Sequence, residues 1–163
     1  MSLDSPDGVV KAEISPFPRT VSNVILTLSS GSLIFGQRHP KSLHAPYLWT
    51  LLGGKVKSGE NPYEAAVREL AVESGILYPD LSPWKSVLDT SGGLPWLCHL
   101  YQKEVSEDLL QIFRPNREIV ALRAFSLQSL KETIKKGETA FGYAEMAVEF
   151  MVEMAGSDFA LTA

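Results

Sequence analysis

The chain carries a single cysteine, Cys98, among its 163 residues. One thiol excludes an intrachain disulfide and any multi-thiolate zinc site, and it fits a reducing, cytoplasmic setting. Cys98 lies in the apolar run Leu94-Pro95-Trp96-Leu97-Cys98 and reads as a small packed hydrophobe rather than a nucleophile. Long apolar runs are lacking as well. None approaches the roughly 20 residues that span a bilayer, and the polar, acidic start from Met1 to Asp7 has no basic lead into an apolar stretch, unlike a secretory signal. Positive charge is in deficit: 15 Lys and Arg stand against 19 Asp and Glu, a net charge of -4. That balance argues against a nucleic-acid polymer as partner, whereas a small phosphorylated ligand needs only a local cluster of donors. Neither a Gly-x-Ser-x-Gly elbow nor a phosphate-binding Gly-Lys-Ser/Thr loop is present, so two common hydrolase chemistries drop out.

What remains is the composition of a globular domain, 45% hydrophobic and 21% charged. The length suits one domain over 1–163, with residues 1–15 expected as a flexible tail. Val21 to Ser29 and Leu33 to Arg38 read as strands joined at Ser30-Gly31-Ser32, a hairpin. His39 to Tyr47 reads as a loop. Leu48 to Leu52 reads as a short strand ending at Gly53-Gly54. Lys85 to Leu88 and Leu94 to Glu104 read as strands around a Thr90-Ser91-Gly92-Gly93 turn, and Glu118 to Phe125 as another strand. Helices are expected from Asn61 to Gly75, from Ser129 to Lys136 and from Phe141 to Met154. The sum is an α/β fold with a mixed sheet.

The stretch that carries chemistry runs from Gly54 to Ile76, GKVKSGENPYEAAVRELAVESGI. Gly53 and Gly54 allow close backbone approach to a ligand. Asn61 is a good N-cap, Pro62 suits the first helical position, and Glu64 stands where a capping box needs it. Gly75 supplies the left-handed stop. Glu69 and Glu73 are four apart and share one helix face, while Tyr63, Val67, Leu70 and Ser74 form a separate, core-facing stripe. Two carboxylates stacked without a cation four residues away repel, and a hard cation such as magnesium relieves that repulsion.

These residues resemble the box of the Nudix (MutT-like) hydrolase family, Gly-x5-Glu-x7-Arg-Glu-apolar-x-Glu-Glu-x-Gly-apolar. Here it reads Gly54, Glu60, Arg68-Glu69-Leu70-Ala71-Val72-Glu73-Ser74-Gly75-Ile76, with Val72 in place of the first Glu of the pair. The flanks, Gln37-Arg38, Trp49 and Gly53-Gly54, are also similar to the family, although Leu52 stands where proline is usual. The step from Glu118 into Phe125-Ser126-Leu127 and Leu130 resembles the family's late strand and helix.

The resemblance implies a Nudix-type α/β fold, a mixed sheet sandwiched between helices, and hydrolysis of a pyrophosphate linkage in a nucleoside diphosphate derivative or a nucleoside triphosphate, with Mg2+ or Mn2+ as cofactor. It implies Glu69 and Glu73 as metal ligands, joined by the carbonyl of Gly53 and by Glu118. Glu69 also orients or deprotonates the attacking water, and Arg68 with Glu60 forms the pair that fixes loop and helix. The partner is then a small phosphorylated nucleotide, with no nucleic-acid polymer and no membrane; a homodimer is compatible with it. Substrate choice falls to the loops His39 to Tyr47 and Asp80 to Gly93.

Val72 borders the carboxylate face, about 60° around the helix from Glu69, and leaves open a non-catalytic nucleotide- or metabolite-binding module, or an interaction protein with a vestigial box. His39, His44 and His99 are isolated and read as loop or packed residues. Trp49 and Trp96 read as core or cleft-wall residues, either of which offers a face for a base. Glu145, Glu149 and Glu153 read as the solvated face of the last helix.

Overall fold

The computed structural model describes residues 19–90 and 93–162, with side chains as far as residue 156. The expected tail over 1–15 and Ser91-Gly92 of the expected turn lie outside the described residues.

The frame is a mixed sheet of seven strands: β1 (Arg19–Thr27), β2 (Leu33–Arg38), β3 (Trp49–Thr50), β4 (Leu52–Lys55), β5 (Ser82–Asp89), β6 (Trp96–Glu104) and β7 (Ile119–Phe125). The path runs β3-β2-β1-β6-β5, with β4 paired to β1 and β7 to β2. β1 and β6 are parallel along their whole length, and the other pairs are antiparallel. Among the described residues four helices complete the fold: α1 (Pro62–Ser74), α2 (Asp108–Ile112), α3 (Leu127–Lys135) and α4 (Tyr143–Thr162).

Alternation along β1 sends its side chains into two separate cores. Val24 and Leu26 join Ala66 and Leu70 of α1 and Leu109 of α2, while Ile25 joins Leu130 of α3 and Ala144, Ala147 and Phe150 of α4. The sheet is therefore covered on both faces. Leu70 is fully buried, a contribution on the order of 2 kcal/mol from transfer alone. Cys98 is buried too, and burial pushes its thiol up to about 11, which fits a packed residue rather than a nucleophile.

Several elements differ from the sequence reading for reasons of pairing. The segment expected as one strand over 48–52 is two, because Trp49 and Thr50 pair with β2 whereas Leu52 to Lys55 turn across to β1. Gly53 and Gly54 thus lie inside a strand, not beyond one. Part of the expected loop over 80–93 is the strand β5, which starts at Ser82 and carries an irregularity between Pro83 and Lys85. The short helix α2 was not anticipated, and α4 continues past Gly156. The Glu149–Glu153 face of α4 is exposed but not simply solvated: Lys85 Nζ lies 3.2 Å from Glu149 and 3.0 Å from Glu153. Among the described residues, no helix is long and apolar enough to cross a membrane.

Candidate active site

The site forms where α1 crosses the β1–β4 ladder. The helix starts as its sequence dictates. The Asn61 side chain accepts from the Glu64 N–H at 2.8 Å, and the Glu64 carboxylate accepts from the Asn61 N–H at 3.0 Å. Gly75 ends it in the left-handed region at φ 82°. Ser22 of β1 donates to the Pro62 carbonyl at 2.7 Å, tying the helix start to the central strand.

Gly53 and Gly54 bring the strand against the helix. Gly53 N–H donates to Glu73 Oε1 at 2.7 Å. A β-carbon on Gly53 would run into the Ser22 carbonyl, and one on Gly54 would occupy the space of the Glu69 carboxylate. Position 73 is only 4% exposed, so the carboxylate face of α1 looks onto a strand.

Glu118 arrives from the opposite side, just before β7. It gets there through Asn116, whose side-chain oxygen accepts from the Glu118 and Ile119 N–H groups and whose amide donates to the Glu73 carbonyl at 3.0 Å. One asparagine thus closes its own turn and pins that turn to the end of α1. Asn116 was missed by the sequence reading; the only local signal is Pro115-Asn116, a turn-forming pair directly before Arg117-Glu118. Glu69, Glu73 and Glu118 each offer an oxygen, and these atoms lie within 4.8 Å of one another.

Three carboxylates this close do not all ionise freely. Burial pushes Glu73 well above the usual carboxylate range, with the charges of Glu118 and Glu69 adding to it. Burial also raises Glu69, followed by repulsion from Glu118. The donor set is all oxygen, partly buried and negative, which is what a hard divalent cation takes.

Arg68 closes the loop between β4 and α1. Its guanidinium donates to both Glu60 oxygens, at 2.7 and 2.9 Å, to the Lys55 carbonyl at 3.1 Å and to Glu69 Oε1 at 2.6 Å. The hydrogen bond from Arg68 holds the Glu60 carboxyl down at about 2, and Glu60 in turn raises Arg68 above its already high value. This two-pronged geometry is specific to guanidinium. Arg68→Ala is expected to lower any turnover at this site about 10–100-fold, the scale on which groups that orient a site's ligands act, and to lower the melting temperature. Turnover and melting equal to the parent's would show that the clasp does nothing for the site.

Val72 is 51% exposed and outside both cores. The histidines do not join the cluster: His39 Nδ1 accepts from the Lys41 N–H, and His99 Nδ1 lies 2.8 Å from Ser86 Oγ. Trp49 packs edge-on against Phe125, and Trp96 is half-buried with Arg19 and Lys55 over its ring. On the far face of β1, Asn23 is 2% exposed and its Nδ2 has no hydrogen-bond partner among the described residues.

A family model described as the NUDIX domain matches residues 16–146. The chain belongs to the Nudix hydrolase family. It is 40% identical over 67 residues to the ADP-ribose pyrophosphatase of Haemophilus influenzae, a match covering 41% of this chain and 31% of that protein's own length. Among solved structures it is similar to DR0079 of Deinococcus radiodurans, with 27% identity, a TM-score of 0.68 and coverage of 82% of this chain and 85% of the other. The MutT protein of Methanosarcina mazei shares the fold at 19% identity and TM-score 0.69, covering 86% and 98% of the two chains.

Proposed function

We propose that the chain hydrolyses the pyrophosphate linkage of a nucleoside diphosphate derivative at the Glu69–Glu73–Glu118 cluster, with magnesium or manganese as cofactor. The convergence of three carboxylates within 4.8 Å carries this reading. The ADP-ribose pyrophosphatase it resembles supports the nucleoside diphosphate class.

Glu69, Glu73 and Glu118 would hold the cation, with the Gly53 carbonyl as a further ligand. When bound, such a cation neutralises phosphate oxygens and acidifies water. Glu69 orients the attacking water and accepts its proton. The water oxygen bonds to one phosphorus, the bridging P–O bond breaks, and the electron pair leaves on the departing phosphate. Arg68 and Glu60 keep the helix and loop in register so that these groups meet the phosphates without reorganising.

The test is a product-release screen over nucleoside diphosphate derivatives and triphosphates, with magnesium, with manganese and with excess chelator. Hydrolysis is expected with either metal and is expected to vanish in chelator. Full activity in chelator sinks the metal mechanism.

A second reading, binding without hydrolysis, rests on Val72 at a box position that carries Glu in the family. Its exposure makes Val72→Glu a clean probe. The substitution buries no charge, so stability should change by no more than about 0.5 kcal/mol, while hydrolysis becomes faster and more metal-dependent. An inactive parent and an equally inactive variant, both folded, would favour the binding module.

A further inference from the structure

Three non-glycine residues among those described have positive φ: Ala45 at 50°, Tyr47 at 67° and Phe141 at 57°. That region is unfavourable for a side chain with a β-carbon and persists where the surroundings enforce it. Tyr47 and Phe141 both contact Arg38, and Ala45 lies between its two partners His44 and Tyr47 in the loop. The Arg38 carbonyl accepts from the Tyr47 N–H at 3.2 Å, its Nε donates to the His44 carbonyl at 2.9 Å, and its guanidinium lies 5.4 Å from the centre of the Phe141 ring. Gln37 adds a bond to the Tyr47 carbonyl at 3.1 Å. These strained backbones hold two aromatic rings outward: Tyr47 is 62% exposed and Phe141 54%. Phe141 is supported by Arg38 and, at 5.5 Å between centroids, by Tyr143. Its remaining surface is open.

A backbone hydrogen bond ties the Arg38 end of this rim to the carboxylate cluster. His39, next to Arg38, donates from its N–H to the Glu118 carbonyl at 2.9 Å. Neither core uses Tyr47 or Phe141.

We propose that Tyr47 and Phe141 form an aromatic rim that stacks the base of the nucleotide whose phosphates reach the Glu69–Glu73–Glu118 cluster, so that both are specificity-determining residues. The proposal rests on the reading of that cluster as a phosphate site. A planar base suits two exposed rings, one of them backed by a guanidinium, because stacking adds to binding without demanding a hydrogen-bond code. Arg38 is then a positioning residue: it fixes one rim ring from beneath and the other through its backbone.

The test is calorimetric titration of the whole chain, with magnesium present, against AMP, GMP, CMP, UMP and ribose 5-phosphate. None of these contains a pyrophosphate bridge, so binding is read without turnover. At least one nucleotide should bind about tenfold or more tighter than ribose 5-phosphate. Phe141→Ala and Tyr47→Ala should reduce that nucleotide towards ribose 5-phosphate, and Phe141→Trp should keep it tight. Both rings are exposed, so truncation leaves the cores intact, which a melting curve checks. Nucleotides that bind no tighter than the base-free phosphate overturn the proposal. So do truncations that leave affinity unchanged, or that shift only the oligomeric state by sedimentation, which would make the rim a contact between copies. Tight, rim-dependent nucleotide binding without hydrolysis in the product screen would sink the hydrolase reading and leave the rim standing.

Discussion

Glu73→Gln is expected to lower hydrolysis by on the order of a hundredfold or more while leaving the fold intact. The amide keeps the shape of the carboxylate, and its oxygen can still accept from the Gly53 N–H, which lies 2.7 Å from Glu73 in the parent. What is lost is a charge at the cluster. The same substitution has an opposite consequence for stability without metal. Burial raises the Glu73 carboxyl in the folded chain above its unfolded value. The folded state therefore holds that proton more tightly, and the metal-free chain loses stability as pH rises from the ordinary carboxylate range through the raised value. Glutamine removes this loss, so the metal-free variant should melt at or above the parent near pH 8. Magnesium should raise the parent's melting temperature and leave the variant's nearly unchanged. A variant that hydrolyses at the parental rate, or that gains as much from magnesium, would show that Glu73 is no ligand.

The two glycines of β4 should fail in different ways. In Gly53→Ala the added carbon meets the Ser22 carbonyl and the Asn23 Cα. Neither can yield without opening the β1–β4 ladder, so the cost should reach or exceed the roughly 1–3 kcal/mol typical of overpacking. In Gly54→Ala the added carbon meets the end of the Glu69 side chain, which can swing away. That variant should fold nearly as well as the parent and lose most of its activity, because the displaced carboxylate no longer faces Glu73 and Glu118. Denaturant midpoints and hydrolysis rates measured on both variants decide the matter. Equal stability of the two would contradict the contact at Gly53, and an active Gly54→Ala would detach Glu69 from the chemistry.

Much of this arrangement was legible in the sequence because its causes are local. The capping box at Asn61 and Glu64, the stop at Gly75 and the shared face of Glu69 and Glu73 depend on spacing within one helix. The mixed sheet followed from the order of elements, and its cover of helices on both faces from the resemblance of the box. What the sequence could not show depends on distant partners. That β4 leaves β3 and crosses to β1 is decided by the register of Gly53 with Asn23. That Glu73 is buried reflects the strand laid across it, since nothing in the helix itself separates position 73 from an open face. Asn116 acquires its role only when the end of α1 comes within reach, and Glu149 and Glu153 meet Lys85 only after α4 docks on β5. The helix α2 is too short to show a period.

The strand β1 shares one side between β2 and β4 and gives the other to β6. Its first two partners, and the helix α1 that packs on it, all lie before residue 75. They can zip up from near neighbours in the chain. Its parallel partner and the turn that carries Glu118 come much later, so loop closure must be completed before they add anything. The order of assembly follows: Glu69 and Glu73 can be set against Gly53 in an early, half-built sheet, while the third carboxylate waits for β7 to dock on β2. An opening that releases β7 alone would then dismantle the acidic cluster and leave the helix that bears two of its members in place.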